Sequence, residues 1–441
     1  MPRRLSGLVF VAGLAVCQAT ATAQTIDYSS LERSADKVED SVISWRHDIH
    51  QNPELGNREF RTAAMVAEHL RALGFDEVRT DIAHTGVIGV LRGDLPGRTV
   101  ALRADMDALP VEEKTGLSFA STVTTESEGK TVPVMHACGH DAHTAILMGV
   151  AEVLAGHRDQ IHGTVLFVFQ PAEEGAPQGE KGGAKLILEE GALDGAYRPD
   201  AIFGLHVWPG RAGSISVRPR GTMAAADRLR LSVIGEQTHG SRPWAGVDPI
   251  ITAAQIMVGL QMIPARQLDV SVAPSVITIG AINGGVRSNI IPERVDMLGT
   301  IRTFDPEIRE ELIARVKQTA TSIAESAGAS VEMHVDPYAP SVYNDPDLTA
   351  RITPQLQRAA GNYGFEERGL VMGSEDFAHY QTRFPGTFFF LGVNPEGVSA
   401  EEAAPNHSPY FLVNDEALKV GVKALSFVAV DYLKNTDLDE Q

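Results

Sequence analysis

The feature that most constrains the fold is the regular alternation of short apolar strands with amphipathic helices in the first half of the chain. The run Thr164–Gln170 consists almost entirely of β-formers and lies between Gly163 and Pro171, which is typical of a buried central strand. The other predicted elements are helices at 31–52, 59–73 and 141–155 and strands at 87–91, 99–103 and 201–206. This alternation predicts an α/β sandwich with helices on both faces of a sheet.

A second unit begins near residue 218. Helices are predicted at 248–262 and 305–327, among strands at 228–234, 275–282, 295–302 and 330–335. The resulting order, β-α-β-β-α-β, is that of the ferredoxin-like unit. Because motifs with chemically active side chains return after residue 370, we interpret this unit as an insertion. We therefore predict a catalytic domain in two parts, 24–217 and 334–441, with an inserted domain at 218–333. Two domains are also expected from the length, because 441 residues exceed what one hydrophobic core usually supports.

The N-terminus has the pattern of a cleavable signal peptide. Arg3 and Arg4 precede an apolar run, and the small residues Ala21-Thr22-Ala23 form a cleavage site. We therefore predict that residues 1–23 are removed and that the protein is periplasmic or secreted. The apolar run is too short to span a bilayer, and no later run reaches the required ~20 residues. Lipidation of Cys17 is disfavoured because Val16 precedes it.

Charge and missing motifs disfavour several classes of function. A formal net charge of −19 disfavours nucleic-acid binding. The motifs GxSxG, GxGxxG and the P-loop signature are absent, which weakens serine-hydrolase, dinucleotide-binding and NTPase interpretations.

Cys138 is an unpaired thiol among His136, His140 and His143. Exported proteins usually pair their cysteines, yet Cys138 has no partner once the predicted signal peptide is removed. A thiol two residues before an imidazole at a helix start suits a zinc-like metal or nucleophilic catalysis. The alternative is a buried structural cysteine with surface histidines.

Further polar residues stand at predicted strand ends or in loops. Such ends are where α/β sheets place their sites, and adjacent carboxylates can divide metal binding from proton transfer. Taken singly, each residue also has a purely structural interpretation, either as a carboxylate in a turn or as a histidine in the core. These residues are Glu173, Glu174, His206, His407, Asp105 and Asp107. Together with Cys138 and His140 they supply one cysteine, three histidines and a glutamate, which is a ligand set for two metal ions.

The motifs resemble those of the two-metal aminoacylase and carboxypeptidase family of metallopeptidases and amidohydrolases. The most similar group contains hippurate hydrolases, auxin-conjugate hydrolases and N-acyl-amino-acid amidohydrolases. The matching motifs follow the family order across nearly the whole mature chain: RHDIHQNPELG (46–56), RADMDALP (103–110), MHACGHDAHTA (135–145), FQPAEEG (169–175), GLHVWP (204–209), THGSRP (238–243), VRSNIIPE (286–293), GSEDFA (373–378) and NHSP (406–409).

The resemblance implies a ligand set for two divalent cations, zinc or manganese by preference, with cobalt and nickel as alternatives. The implied ligands are Cys138, His140, Glu174, His206 and His407. Cys138 would be shared, with His140 and His206 on one ion and Glu174 and His407 on the other. Asp105 and Asp107 stand where other members have a His-x-Asp motif. Like His136 and Glu375, they are expected to contact and orient the ligands rather than to bind metal themselves.

The resemblance also implies the remaining roles. Glu173 is expected to be the general base that activates water for cleavage of an amide bond. His239 would stabilise the oxyanion from the inserted lid or dimerisation domain, often from the partner subunit of a homodimer. Arg287 and Asn289 would bind the substrate carboxylate.

We therefore predict a metal-dependent amidohydrolase acting on N-acyl-amino acids, or on short peptides from the carboxyl end. A metallo-carboxypeptidase or dipeptidase on the same scaffold is the first alternative. A hydrolase with Cys138 as nucleophile and a non-catalytic protein that binds acyl-amino acids are less favoured.

Overall fold

The computed structural model describes residues 27–434, so the predicted signal peptide and Cys17 lie outside the described residues. Within this range there are nine α-helices: α1 (Tyr28–Gln51), α2 (Phe60–Ala72), α3 (His140–Ala155), α4 (Gly183–Glu189), α5 (Pro249–Arg266), α6 (Pro306–Ser326), α7 (Pro346–Ala360), α8 (Ala378–Gln381) and α9 (Leu418–Lys434). None of the helices in residues 27–434 combines the length and the apolar content that crossing a membrane requires.

The same range contains eighteen strands: β1 (Glu77–Ile82), β2 (Gly86–Arg92), β3 (Leu95–Asp105), β4 (Thr124–Ser127), β5 (Lys130–Pro133), β6 (His162–Gln170), β7 (Ala201–Trp208), β8 (Ile215–Val217), β9 (Arg220–Met223), β10 (Ala225–Ile234), β11 (Thr238–His239), β12 (Ser275–Gly284), β13 (Ile290–Ile291), β14 (Arg294–Thr303), β15 (Ser330–Ala339), β16 (Val342–Asn344), β17 (Phe365–Glu367) and β18 (Gly386–Gly392). The predicted elements recur with ends shifted by a few residues.

An eight-stranded sheet forms the centre of the larger unit, in the order β1-β2-β6-β3-β7-β18-β8-β17. Strand β6 lies inside it, antiparallel to β2 and parallel to β3. Its last six residues are buried, as expected for a strand covered on both faces. The predicted α/β class is confirmed.

Helices cover both faces of this sheet. On one face α1, α3 and α9 pack together over the larger apolar core. On the other face a smaller core includes residues of α4 and α8. The predicted helix at 141–155 is recovered as α3, but it is not amphipathic, because its residues from His140 to Ala151 are all buried and it packs against α1, α9 and β3. Burial on every side is typical of a helix enclosed in a core rather than of one at the surface, and here it includes the polar first turn with His140 and Asp141.

The second unit is a four-stranded sheet in the order β12-β14-β10-β15, with every neighbouring pair antiparallel. Helices α5 and α6 pack against each other and against the sheet, and together they enclose a separate apolar core. Strand β15 continues past residue 333 as far as Ala339 and leads back towards the larger unit. Strand β12 forms one edge of the sheet.

Candidate metal centre

The candidate residues meet at one edge of the large sheet. Strands β3, β6 and β7 run parallel, so their carboxyl ends lie side by side. Asp105 is the last residue of β3, the loop with Glu173 and Glu174 follows β6, and His206 lies two residues before the end of β7. The strand order therefore brings together residues that are up to a hundred positions apart.

The start of α3 supplies two more candidate ligands, because Cys138 and His140 flank Gly139. Gly139 caps the helix with a φ of 88°. A Cβ atom there would lie 2.3 Å from Val207 Cγ2, so both the conformation and the space call for glycine.

A loop near the C-terminus completes the arrangement. Asn406 Nδ2 donates to the carbonyl oxygens of Cys138 (3.1 Å) and Val207 (3.2 Å). The backbone N–H of His407 donates to the carbonyl oxygen of Ala137 at 2.8 Å. The loop is thereby attached to the backbone that carries Cys138, and His407 Nε2 lies 2.9 Å from Glu174 Oε1.

The candidate ligand atoms form two groups that share Cys138. One group contains Cys138, His140 and His206, and the other contains Cys138, Glu174 and His407. Within each group the ligand atoms lie within 4.8 Å of one another. Cys138 Sγ lies 3.4 Å from His206 Nε2. Thiolate, imidazole and carboxylate in this combination suit zinc-like divalent cations.

Two further observations fit a cation at this place. His140 Nε2 is buried but has no hydrogen-bond partner among residues 27–434, although buried nitrogen atoms rarely lack one. In addition, burial and neighbouring carboxylates raise several pKa values: well above the ordinary value for the Cys138 thiol and for Glu173, and to about 8 for Glu375. A nearby positive charge favours the ionised form of all three groups.

Asp107 orients two of the candidate ligands from behind. Its Oδ1 lies 3.1 Å from His140 Nδ1, and its Oδ2 accepts the backbone N–H of Glu174 at 2.9 Å. Although burial alone lowers the pKa of His140, Asp105 and Asp107 raise that pKa to about 10. The imidazole of His140 thus presents Nε2 to the shared space while Asp107 holds its other nitrogen.

Asp105 acts through His143. Its Oδ1 lies 2.5 Å from His143 Nδ1, and His143 Nε2 accepts the backbone N–H of Val207 at 2.8 Å. Both nitrogens of His143 are therefore engaged, which leaves neither for a metal. Through this bridge Asp105 fixes the end of β7, next to His206.

Arg103 is a site residue that the sequence analysis did not single out. It is 1% exposed, and its guanidinium donates to Asp105, Glu375 and Asp376 at 2.6–2.9 Å. The three carboxylates share this one buried cation, and the negative charge left over contributes to the raised pKa of Glu375. Glu375 consequently contacts Arg103 rather than a candidate ligand. The signal in the sequence that could have identified Arg103 was its place as the first residue of the RADMDALP motif.

His136 does not orient a candidate ligand. Both of its ring nitrogens are buried without a hydrogen-bond partner among residues 27–434, and burial lowers its pKa to about 4. Its ring centroid lies 6.4 Å from that of His50. The expected contact with a ligand is therefore not made.

The three residues expected from the inserted unit lie together but apart from the centre. His239 in β11 pairs with Ile290 in β13, and the N–H of Gly240 donates to the carbonyl oxygen of Asn289 at 2.8 Å. His239, Arg287 and Asn289 are exposed, and His239 Nδ1 accepts the backbone N–H of Ser241. None of the three lines the cavities beside the candidate ligands.

Two adjoining cavities open beside the ligand groups. The smaller, of about 220 Å³, is lined by Cys138, His206 and Trp208, and the larger, of about 500 Å³, by Arg302 and Tyr338, with Glu173 and Glu174 common to both. Arg302 was not predicted as a site residue. Its Nη1 is buried without a hydrogen-bond partner among the described residues, so it is available to an anionic group in the cavity.

Known proteins resemble this chain over most of its length. The model of peptidase family M20/M25/M40 matches residues 101–431. Thermostable carboxypeptidase 1 of Saccharolobus solfataricus is 38% identical over 91% of this chain and 98% of its own, and N-acetylcysteine deacetylase of Bacillus subtilis is 37% identical over 89% and 97%.

One solved structure adds a metal centre to the comparison. The YXEP protein of Bacillus subtilis, described as a dinuclear metal binding peptidase from the M20 family, has a TM-score of 0.74 and 34% identity. The match covers 90% of this chain and 99% of that one. The chain therefore belongs to peptidase family M20/M25/M40, and it is a hydrolase.

Proposed function

We propose that the protein is an amidohydrolase with two divalent cations, which cleaves the amide bond of N-acyl-amino acids. The observation that carries this proposal is the pair of ligand groups that share Cys138, with Glu173 immediately beside them. His140 and His206 would hold one cation, and Glu174 and His407 the other. We favour zinc or manganese because the donor set mixes thiolate, imidazole and carboxylate.

Bound there, the two cations would polarise the amide carbonyl and activate a water molecule by lowering its pKa. Glu173 takes a proton from the attacking water and returns it to the nitrogen of the departing amine. Its Oε1 accepts the backbone N–H of Asp376 at 3.2 Å, which steadies the carboxylate while it exchanges protons. Arg302 binds an anionic group of the substrate through its free Nη1.

A Cys138 nucleophile is disfavoured by the charges around it. Burial and the carboxylates of Glu174 and Glu173 raise the pKa of this thiol, whereas a nucleophilic cysteine needs neighbours that favour the thiolate. The carboxypeptidase alternative uses the same centre and differs in the group on the acyl side. The deacetylase and the carboxypeptidase among the relatives support both forms of the reaction.

The test is a hydrolysis screen on protein of measured metal content. The panel contains N-acetyl-, N-benzoyl- and indole-acyl-amino acids together with dipeptides and carboxyl-blocked analogues. We expect release of the free amino acid from at least one acyl series and slower turnover of the blocked analogues. A fully metallated protein that hydrolyses none of these amides contradicts the proposal.

The second unit is proposed to be a ferredoxin-like lid through which two copies of the chain associate. Helix α5 presents apolar side chains to solvent on one face, with Ile251 57%, Val258 72% and Met262 52% exposed. In the adjacent edge strand β12, Ile282 is 46% exposed and pairs with Met297, which lies on the helix-covered face of the sheet. Exposed apolar side chains grouped in this way are typical of an association surface.

A homodimer accounts for the position of His239, because a residue remote from its own centre can reach that of a second copy. We expect His239→Ala to lower kcat by about 10²-fold, the usual effect of losing an oxyanion donor. Equal mixing of His239→Ala with Glu173→Gln protein, after subunit exchange, is expected to restore about a quarter of wild-type activity, since each mixed dimer regains one intact site. If mixing restores nothing although mixed dimers form, His239 acts within its own subunit.

We also propose export to the periplasm or the medium. This rests on the basic residues, apolar run and small-residue site within residues 1–23. N-terminal sequencing of the protein recovered from its native cell tests the expected cleavage after Ala23.

A further inference from the structure

Glu59 is a buried carboxyl group that the proposed mechanism does not use. It precedes α2 and is 0% exposed. Its Oε1 accepts the backbone N–H of Ala172 at 2.9 Å, and its Oε2 accepts the hydroxyl of Thr85 at 2.5 Å. Glu59 thus joins the start of α2 to the loop that carries the general base and a candidate ligand.

Ala172 adopts an unusual backbone conformation directly before Glu173. Its φ is 52°, in the left-handed region that residues with a Cβ atom seldom enter. Such a conformation persists only where the surroundings hold it in place. A rotation about this residue would turn the peptide that follows, and would therefore redirect the side chain of Glu173.

Gly56, three residues before Glu59, packs closely against the same loop. A Cβ atom on Gly56 would lie 2.8 Å from the carbonyl oxygen of Gly175 and 3.1 Å from Ala172 Cα. At the far side of Glu173, the N–H of Glu174 donates to Asp107 Oδ2 at 2.9 Å. The backbone is thus anchored to a buried carboxyl group immediately before and immediately after Glu173.

We infer that Glu59 is a positioning residue for the hydrolysis proposed above: its carboxyl group holds Ala172 in the left-handed conformation and so aims Glu173 at the substrate. This inference rests on the proposed function for its catalytic consequence. The conformational part, an ordered loop at residues 172–176, stands on the contacts alone.

Glutamine is a close mimic of the residue at this position. Burial and the negative charge of Asp107 raise the pKa of Glu59 to about 8, so a neutral amide of the same shape is tolerated in its place. Glutamine keeps the oxygen that accepts the Ala172 N–H, and its amide can donate to the Thr85 hydroxyl. Alanine removes both contacts.

Glu54 provides the matched control. It lies in the same segment, and its carboxylate also accepts backbone N–H groups, those of Arg61 and Thr62 in α2, at 2.9 Å. It makes no hydrogen bond to the loop at residues 172–176. Glu54→Ala therefore removes a carboxylate that accepts N–H groups of α2 without touching Ala172.

The experiment compares Glu59→Ala, Glu59→Gln and Glu54→Ala on metallated protein. We expect Glu59→Ala to lower kcat by about 10- to 100-fold with KM and metal content unchanged, as when a residue behind an active group is lost. Glu59→Gln is expected to retain most of kcat, and Glu54→Ala to retain kcat while its thermal midpoint falls. Hydrogen–deuterium exchange at residues 172–176 is expected to accelerate in Glu59→Ala alone.

Each outcome bears on one part of the inference. Unchanged kcat in Glu59→Ala, or equal losses in Glu59→Gln and Glu59→Ala, overturns the positioning role. Unaltered exchange at residues 172–176 in Glu59→Ala overturns the conformational argument, even where activity cannot be measured. A wild-type protein without hydrolytic activity contradicts the proposed function, whereas the exchange experiment still decides whether Glu59 orders the loop.

Discussion

Replacing Glu173 by glutamine is expected to lower kcat by about 10³-fold while both cations stay bound, because general base catalysis contributes 10²- to 10⁴-fold. Glutamine has nearly the same shape as glutamate but cannot take a proton from water. Glu173 is absent from both groups that share Cys138, so the substitution leaves those candidate ligands in place. The measurement is steady-state kinetics together with metal analysis of the same preparation.

Glu189→Gln is the matched control for this prediction. Glu189 ends helix α4, which follows the Glu173 loop in the chain, and it pairs with Lys181 at the surface. Its substitution removes one carboxylate from the same region without contact to the centre, so kcat should stay at the wild-type level. A Glu173→Gln protein that retains both metals and full kcat would assign the proton transfer to another group.

Replacing Cys138 by alanine is expected to abolish measurable turnover through loss of metal. Cys138 is the single member common to both ligand groups, so its removal takes a ligand from each cation at once. Elemental analysis should find fewer than two cations per chain, and kcat per chain should fall by at least about 10³-fold, since the activated water is lost with the metal. Chelation of the wild-type protein should give the same loss, and added zinc or manganese should restore activity.

Alkylation separates the ligand role of Cys138 from a nucleophilic role. A thiolate held by metal is expected to resist iodoacetamide in the metallated protein and to react after chelation. A nucleophile would be labelled with metal bound, and its labelling would stop turnover. Cys138 is the one cysteine in the described range of the chain, so protein lacking residues 1–23 gives an unambiguous signal.

The sequence predicted the location of the centre better than the contacts inside it. Strand ends could be located because β6 is a run of β-formers that stops at Pro171, and parallel strands end at a common edge. Which residue contacts which depends on side-chain directions, and periodicity does not contain that information. His136 and His143 illustrate this, since both flank the ligands in sequence but only His143 is linked by hydrogen bonds to the end of β7.

Other parts of the fold escaped prediction because their local pattern is weak or depends on tertiary packing. Strand β18 (Gly386–Gly392) lies inside the large sheet, yet a short apolar run after residue 385 does not distinguish strand from helix. Arg103 was missed because the sequence shows only an arginine within an apolar strand. Its role is evident from the three carboxylates that surround it in the fold, those of Asp105, Glu375 and Asp376. The left-handed conformation of Ala172 has no signal in its residue type.

The loop that carries Asn406 and His407 has a consequence for how the protein matures. It returns from near the end of the chain to the backbone of Ala137 and Cys138, so the centre is assembled from segments almost 270 residues apart. A chain still being synthesised lacks this closing segment and cannot hold both cations. Metal uptake therefore follows completion of the chain, and binding energy gained there stabilises the whole catalytic unit rather than one loop. The cation acquired is consequently set by the metal supply of the compartment in which the finished chain folds.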